Sequence, residues 1–145
     1  MDTLHPKIEI TLTNVEHQDA RNLISQKLDE YNNSITDQIG NSVLDIIITD
    51  PSTEEVSGGL VGRTSLGVFF INLVYLPDYL RKNGLGTKLL KYAEVEAKRR
   101  GCSRAVLFTI SFQAPDFYRK HGYIIFGEVP CQPPGTTRIF MVKEL

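Results

Sequence analysis

A glycine-bearing run, Arg81-Lys82-Asn83-Gly84-Leu85-Gly86-Thr87, follows an apolar segment of strand character and opens a segment with helical spacing. That placement makes it a candidate anion cradle, because a helix amino terminus has N–H groups without acceptors and a partial positive charge. Gly84 and Gly86 would let a ligand oxygen approach those donors, while Arg81 and Lys82 would add charge at the entrance. A diphosphate is the natural occupant. The alternative is that the two glycines only shape a strand-to-helix turn. Other glycine signatures fail on particular positions: a dinucleotide fingerprint needs a third glycine where Leu89 stands, and a Walker loop needs Gly-Lys-Ser/Thr where the chain reads Gly86-Thr87-Lys88. A second segment, Ala114-Pro115-Asp116-Phe117-Tyr118 closing at Gly122-Tyr123, lies one strand further on and brings a phenol capable of proton transfer.

The elements that must position these groups can be read in order. Ile8 to Thr11 alternates like a strand, Thr13-Asn14-Val15-Glu16 fits a capping box, and Ala20, Leu23, Ile24, Leu28 and Tyr31 predict a helix ending near Asn32-Asn33. Val43 to Thr49 and Val56 to Val61, joined by Asp50-Pro51-Ser52-Thr53, predict a hairpin. Val68 to Leu76 is apolar on both faces, as a central strand requires. From Gly84, the apolar positions Leu85, Leu89, Leu90, Ala93 and Ala97 predict a helix of about four turns. Its last turn carries Lys98, Arg99 and Arg100, and Gly101 can close it in the left-handed conformation. Ala105 to Ile110 is the next strand, Pro115 to His121 a short helix, and Tyr123 to Gly127 with Thr137 to Val142 a final antiparallel pair.

The length of 145 residues suits one domain, taken as 1–145, with a core that needs no disulfide or metal. A net charge of -1 argues against nucleic acid as a partner, and the longest apolar run is too short to span a membrane as a helix. Cys102 and Cys131 have neither zinc-site spacing nor the pattern of a disulfide framework, so the expected location is cytoplasmic and no metal is expected. The basic residues from Lys88 to Arg100 alternate with Glu94 and Glu96 and read as a solvated helix face.

Taken as a pair, the two segments resemble the GCN5-related N-acetyltransferase (GNAT) superfamily, most of all its small single-domain bacterial members. Its R/Q-x-x-G-x-G/A loop corresponds to Arg81-Lys82-Asn83-Gly84-Leu85-Gly86, and its A-x-x-F/L-Y-x-x-x-G-F/Y segment to Ala114 through Tyr123. The resemblance covers the chain from Ile8 onward. It implies an α/β fold with a mixed, mainly antiparallel twisted sheet, splayed central strands and flanking helices. It also implies acetyl-CoA as cosubstrate, with the diphosphate over residues 82 to 87 and the pantetheine arm along Val74, Tyr75 and Leu76. Tyr118 would be the general acid for the departing thiolate, against the plainer reading of a packing aromatic. Tyr31 and Asn72 are expected on the acceptor side, and Ser111 stands where the family often has an asparagine that contacts the cofactor. The stretch from Pro77 to Arg81 is one residue longer than the common spacing. The implied activity is direct acetyl transfer to an amine. The rival is a silent acyl-CoA sensor, prompted by the lack of an obvious base; Glu54, Glu55, Glu128 and the histidines have no geometric claim. A homodimer through the carboxy-terminal strands is a further expectation, and Gln132-Pro133-Pro134-Gly135 either covers the acceptor site or simply joins two strands.

Overall fold

The computed structural model describes residues 7–38 and 40–145. Helix α1 (Gln18–Ile35) precedes strands β1 (Ser42–Thr49), β2 (Val56–Ser65) and β3 (Val68–Tyr75), then a 3-10 turn at Asp78–Leu80 and helix α2 (Leu85–Arg99). Strand β4 (Arg104–Ile110), helix α3 (Pro115–Lys120) and strands β5 (Ile124–Pro130) and β6 (Thr137–Glu144) follow. One six-stranded sheet results, in the order β1-β2-β3-β4-β6-β5. Among the described residues only β3 and β4 pair in parallel. A parallel pair needs a crossover, and α2 supplies it by carrying the chain from the end of β3 back to the start of β4.

The expected apolar stripe of α2 is the one that is buried: Leu89, Leu90, Ala93 and Ala97. Leu90, Ala93 and Ala97 join one core with Leu44, Leu60, Phe69, Ile71, Ala105 and Leu107, which alternate along β1 to β4 with outward residues. Gly101 takes φ 90°, and the Cys102 N–H donates to Ala97 O at 3.0 Å, closing the helix as its sequence suggests. Arg100, expected on a solvated face, instead turns inward. Its Nη1 donates to the Val43 carbonyl at 2.9 Å and lies 3.3 Å from Thr64 Oγ1, while Nε donates to Glu96 at 3.1 Å. One guanidinium therefore ties the end of α2 to β1 and β2.

The amino-terminal expectations are corrected. Ile8 to Thr11 forms no strand, since no neighbouring strand offers it a ladder. The capping box does not form either. Thr13 Oγ1 accepts from the Val15 N–H at 3.0 Å in a local turn, Glu16 pairs with Arg21 at 3.0 Å, and the helix starts at Gln18. Here the side-chain bond competes with helical backbone instead of capping it. The helix runs on to Ile35 and buries no residue. Elsewhere the boundaries move little; β2 extends to Ser65 because β3 pairs with it that far.

Two outcomes follow for the α2 anchor. Arg100→Ala should lower unfolding free energy by about 1–3 kcal/mol, as expected for losing charge-assisted bonds, read by urea denaturation; an unchanged midpoint contradicts the anchoring role. Glu96, hydrogen-bonded first by Arg99 and then by Arg100, is held down from the ordinary 4.5 to about 2. A depressed carboxyl contributes stability fully above its unfolded value and loses it as pH falls through the folded one. The stability gap between wild type and Glu96→Gln should thus be present near neutral pH and close between about pH 4.5 and 2, measured by denaturation at each pH.

Candidate active site

The parallel ladder between β3 and β4 stops early. It pairs Val68 to Ile71 with Arg104 to Leu107, after which β3 stays with β2 as far as Tyr75 and β4 stays with β6 as far as Ile110. The two central strands therefore part, and a cleft of about 230 Å³ opens between them. Beyond Ile71, β3 has main-chain groups on that side without a strand partner. Val74 and Tyr75 occupy this stretch, and Leu76 follows it. A register shift between Val61 and Gly62 leaves Asn72 as the extra residue of β3, so the bulge re-aims its side chain at the cleft.

At the far end of β3 the glycine loop folds against both neighbouring helices. Gly84 takes φ 81°, and a side chain there would meet nothing within 4 Å, so its glycine is required by conformation and its surroundings are open. Gly86 differs. A Cβ on it would stand 3.3 Å from the Phe117 ring and 3.5 Å from Leu76, so this glycine allows the close packing of α2 on α3. Arg81 is engaged in building the loop: Nε donates to Leu76 O at 2.7 Å and Nη1 pairs with Asp78 at 2.9 Å. Asn83 Oδ1 accepts from the Leu85 N–H at 3.2 Å. Lys82, at φ 62°, is exposed and makes no ion pair among the described residues. The N–H groups of Gly86 and Thr87 lie in the first turn of α2, where the helix itself provides no acceptor. An open glycine, an exposed lysine and first-turn donors fit a diphosphate; the bare edge of β3 fits an extended amide-bearing arm.

Tyr118 is buried on α3 and lines the cleft. Phe117 and Tyr123 set it edge-on, with ring centroids at 5.2 and 5.8 Å. Burial pushes its phenol above the usual value of 10, so the proton stays on the oxygen through neutral pH. Behind it, Tyr123 donates to Glu94 at 2.7 Å and Lys143 reaches the other oxygen of that carboxylate at 2.9 Å. Burial, reinforced by Glu94, also raises Tyr123, which is thereby a structural post and not a proton source.

Several participants escaped sequence reasoning. His121, which resembles a solvated helix-end cation, is half-buried: Nδ1 donates to Phe117 O at 2.8 Å, so in the neutral ring Nε2 accepts from Thr87 Oγ1 at 3.0 Å. That bridge joins the first turn of α2 to the end of α3. Gln113 Oε1 accepts from both Thr109 Oγ1 and the Ile110 N–H at 3.1 Å and lines the cleft. Arg138 lines it too, its guanidinium 5.7 Å from the Phe108 ring centre. No short motif marks Arg138, because only the β4–β6 register brings it there. Ser111 Oγ accepts from the Thr137 N–H at 3.0 Å and fastens the end of β4 to β6. Tyr31 lies exposed on α1 and is not among the residues lining the cleft. The Gln132 to Gly135 stretch closes the β5–β6 connection through Cys131 N–H to Thr136 O at 2.9 Å.

The GNAT acetyltransferase family model matches residues 14–123, which span the loop, the parted strands and the tyrosine helix. The chain belongs to the GNAT family. It is 38% identical over 92 residues to a blasticidin-S acetyltransferase from Streptomyces morookaense, covering 63% of this chain and 68% of that one. It is 31% identical over 137 residues to an acetyltransferase of Agrobacterium fabrum, covering 94% of this chain and 99% of that one. A crystal structure from Agrobacterium tumefaciens, assigned to an acetyltransferase, superposes with a TM-score of 0.83 at 29% identity over 95% of this chain and all of the other. This GNAT protein is thus an acetyl-CoA-dependent acetyltransferase, with the mixed, splayed sheet that the resemblance implied. Among the described residues no cluster of three or more His, Cys, Asp or Glu could hold a metal, and no helix is long and apolar enough to cross a membrane.

The two loop glycines should separate by mechanism. Gly84→Ala should cost about 1–2 kcal/mol of stability for its left-handed backbone while leaving α3 in place. Gly86→Val should displace Phe117 and with it Tyr118. Thermal unfolding and the turnover rate check this: the first variant should keep its kcat, the second should lose it.

Proposed function

We propose that residues 1–145 act as one domain that transfers acetyl from acetyl-CoA to an amine by direct attack on the thioester. The carrying observation is that the parted β3 and β4 and the protonated Tyr118 phenol share one cleft, while the glycine loop packs against the tyrosine helix where Gly86 meets Phe117. In this reading the first-turn amides of α2 around Gly84 to Thr87, with Lys82, hold the diphosphate. Arg81 and Asn83 act mainly by shaping that loop. The free edge of β3 at Val74 to Leu76 aligns the pantetheine arm, and Ser111 keeps the opposite strand end in place. Asn72, aimed into the cleft by the bulge, orients the amine through its amide oxygen.

Tyr118 donates a hydrogen bond to the sulfur as the carbon–sulfur bond breaks. Thiolate is a fair leaving group in its own right, so Tyr118→Phe should reduce kcat by about 10–10²-fold while KM for acetyl-CoA stays near wild type. Release of free thiol in the presence of an amine reads this directly. An unchanged kcat would remove Tyr118 from the chemistry. Thiol release with no member of an amine panel would remove the acetyltransfer reading itself.

No carboxylate or imidazole stands among the described residues lining the cleft. The amine therefore enters as its free base or passes its proton to water. The rising limb of kcat/KM against pH should follow the acceptor's own pKa, moving when an amine of lower pKa is substituted, and the falling limb should lie above pH 10 because burial raises Tyr118. A rising limb that stays fixed for both acceptors would point to an enzyme base instead. The relative that acetylates blasticidin S makes that antibiotic a natural member of the panel. Unpaired Cys102 and Cys131 support a reducing, cytoplasmic setting.

A further inference from the structure

Two parts of the chain carry apolar surface that is bare in the single chain, and they complement one another. The first is the arm formed by residues 7–35. Its opening stretch alternates like a strand, yet Ile10 and Leu12 are each 97% exposed and no ladder forms. Behind it, Ile24, Leu28, Tyr31 and Ile35 recur along one stripe of α1, all exposed. An isolated helix of 18 residues is marginal in water and depends on packing of its apolar face.

The second part is the sheet. Helices α2 and α3 cover one face, and on the other the register sets one residue of every strand in a row: Val43, Arg63, Phe70, Val106, Val142 and Ile124. Beside this row Phe108, Phe140 and Phe126 follow one another with ring centroids 5.8 and 6.2 Å apart. β1 is an edge strand, and its outer side is unpaired among the described residues. The arm thus offers a strand former and an apolar helix, and the body offers a bare edge and a face exposed at Val43, Phe108, Ile124 and Phe126 and half-buried between them.

The chain's own arm is held off that face. Asn41 accepts from Arg63 Nη1 at 2.7 Å and donates to Asp29 at 3.0 Å, pinning the carboxy-terminal half of α1 at the sheet margin. We propose that the face is covered by the arm of a second copy, each chain of a twofold dimer laying its α1 on the partner's sheet and its strand-like stretch along the partner's β1. One chain carries both halves of the contact, as a self-complementary interface requires.

The area is adequate. Among the described residues the arm exposes nine large apolar side chains. At roughly 60–120 Å² each, two arms withdraw about 1,000–2,000 Å² from water before the receiving faces are counted. A stable interface needs about 1,600 Å² in total. Asn72, Phe108 and Arg138 line the cleft where it meets this face, so the partner's helix would border the acceptor's entrance. The contact is led by the arm, and the carboxy-terminal strands enter it only as part of the receiving face.

Light scattering after size exclusion should give twice the 16.3 kDa of one chain. The double variant Ile24→Glu, Leu28→Glu changes side chains that are solvent-exposed in the single chain, so it should fold, elute at the mass of one chain and melt lower than wild type. Ile124→Glu, on the receiving face, should also weaken the dimer. A monomeric wild type overturns the proposal. So does a double variant that stays dimeric, and so does a monomeric wild type whose melting point falls in the double variant, since that outcome means the arm closes on its own sheet.

Discussion

The separation of β3 from β4 after Ile71 and Leu107 is the constraint on which the remaining architecture rests. Each strand is held on its outer side, β3 by β2 and β4 by β6, so the two can diverge without leaving either one unsupported. The gap leaves main-chain donors and acceptors facing a cleft, and an unpaired sheet edge is a ready template for an extended ligand. The Asn72 bulge and the Ser111–Thr137 clasp sit at the two lips of that opening. A continuous parallel ladder to Tyr75 would leave no room for a cosubstrate.

Loop and phenol are mechanically coupled. Gly86 admits the Phe117 ring, Phe117 sets the edge of Tyr118, and His121 ties α3 back to Thr87 in the first turn of α2. The glycine loop and the Tyr118 phenol, proposed here as diphosphate site and proton donor, are thereby parts of one packed unit. The Tyr123–Glu94–Lys143 group anchors it from behind, and no buried side-chain nitrogen or oxygen among the described residues lacks a partner. Such a unit positions Tyr118 without requiring it to be ionised, which agrees with a phenol whose burial favours the neutral form.

Most of the sheet was legible in the residues themselves. The β-branched, apolar run Val43 to Thr49 and the stripe from Leu85 to Ala97 each describe a face that must meet a core, and each does; of the two-sided hydrophobicity in Val68 to Leu76, only the face of Phe69 and Ile71 is fully buried. The amino-terminal arm departs from its pattern because alternation and a capping sequence are local signals. A strand exists only where another strand accepts its hydrogen bonds, and none does so for Ile8 to Thr11. Arg100 and His121 follow the same logic: their type and position in a helix suit solvent, and only packing against Val43 and Phe117 turns them inward.

By itself the sequence determined the order of elements, the glycine loop opening α2 and the tyrosine on the next helix, since these depend on backbone preference and periodicity within a few residues. Tertiary structure alone decided that Gly86 is a packing glycine, that Arg81 braces the loop, and that Asn72, Gln113 and Arg138 share one cleft. Those facts depend on register and on which strand ends where. Distances between residues far apart in the chain are set by that pairing, and no local spacing encodes it.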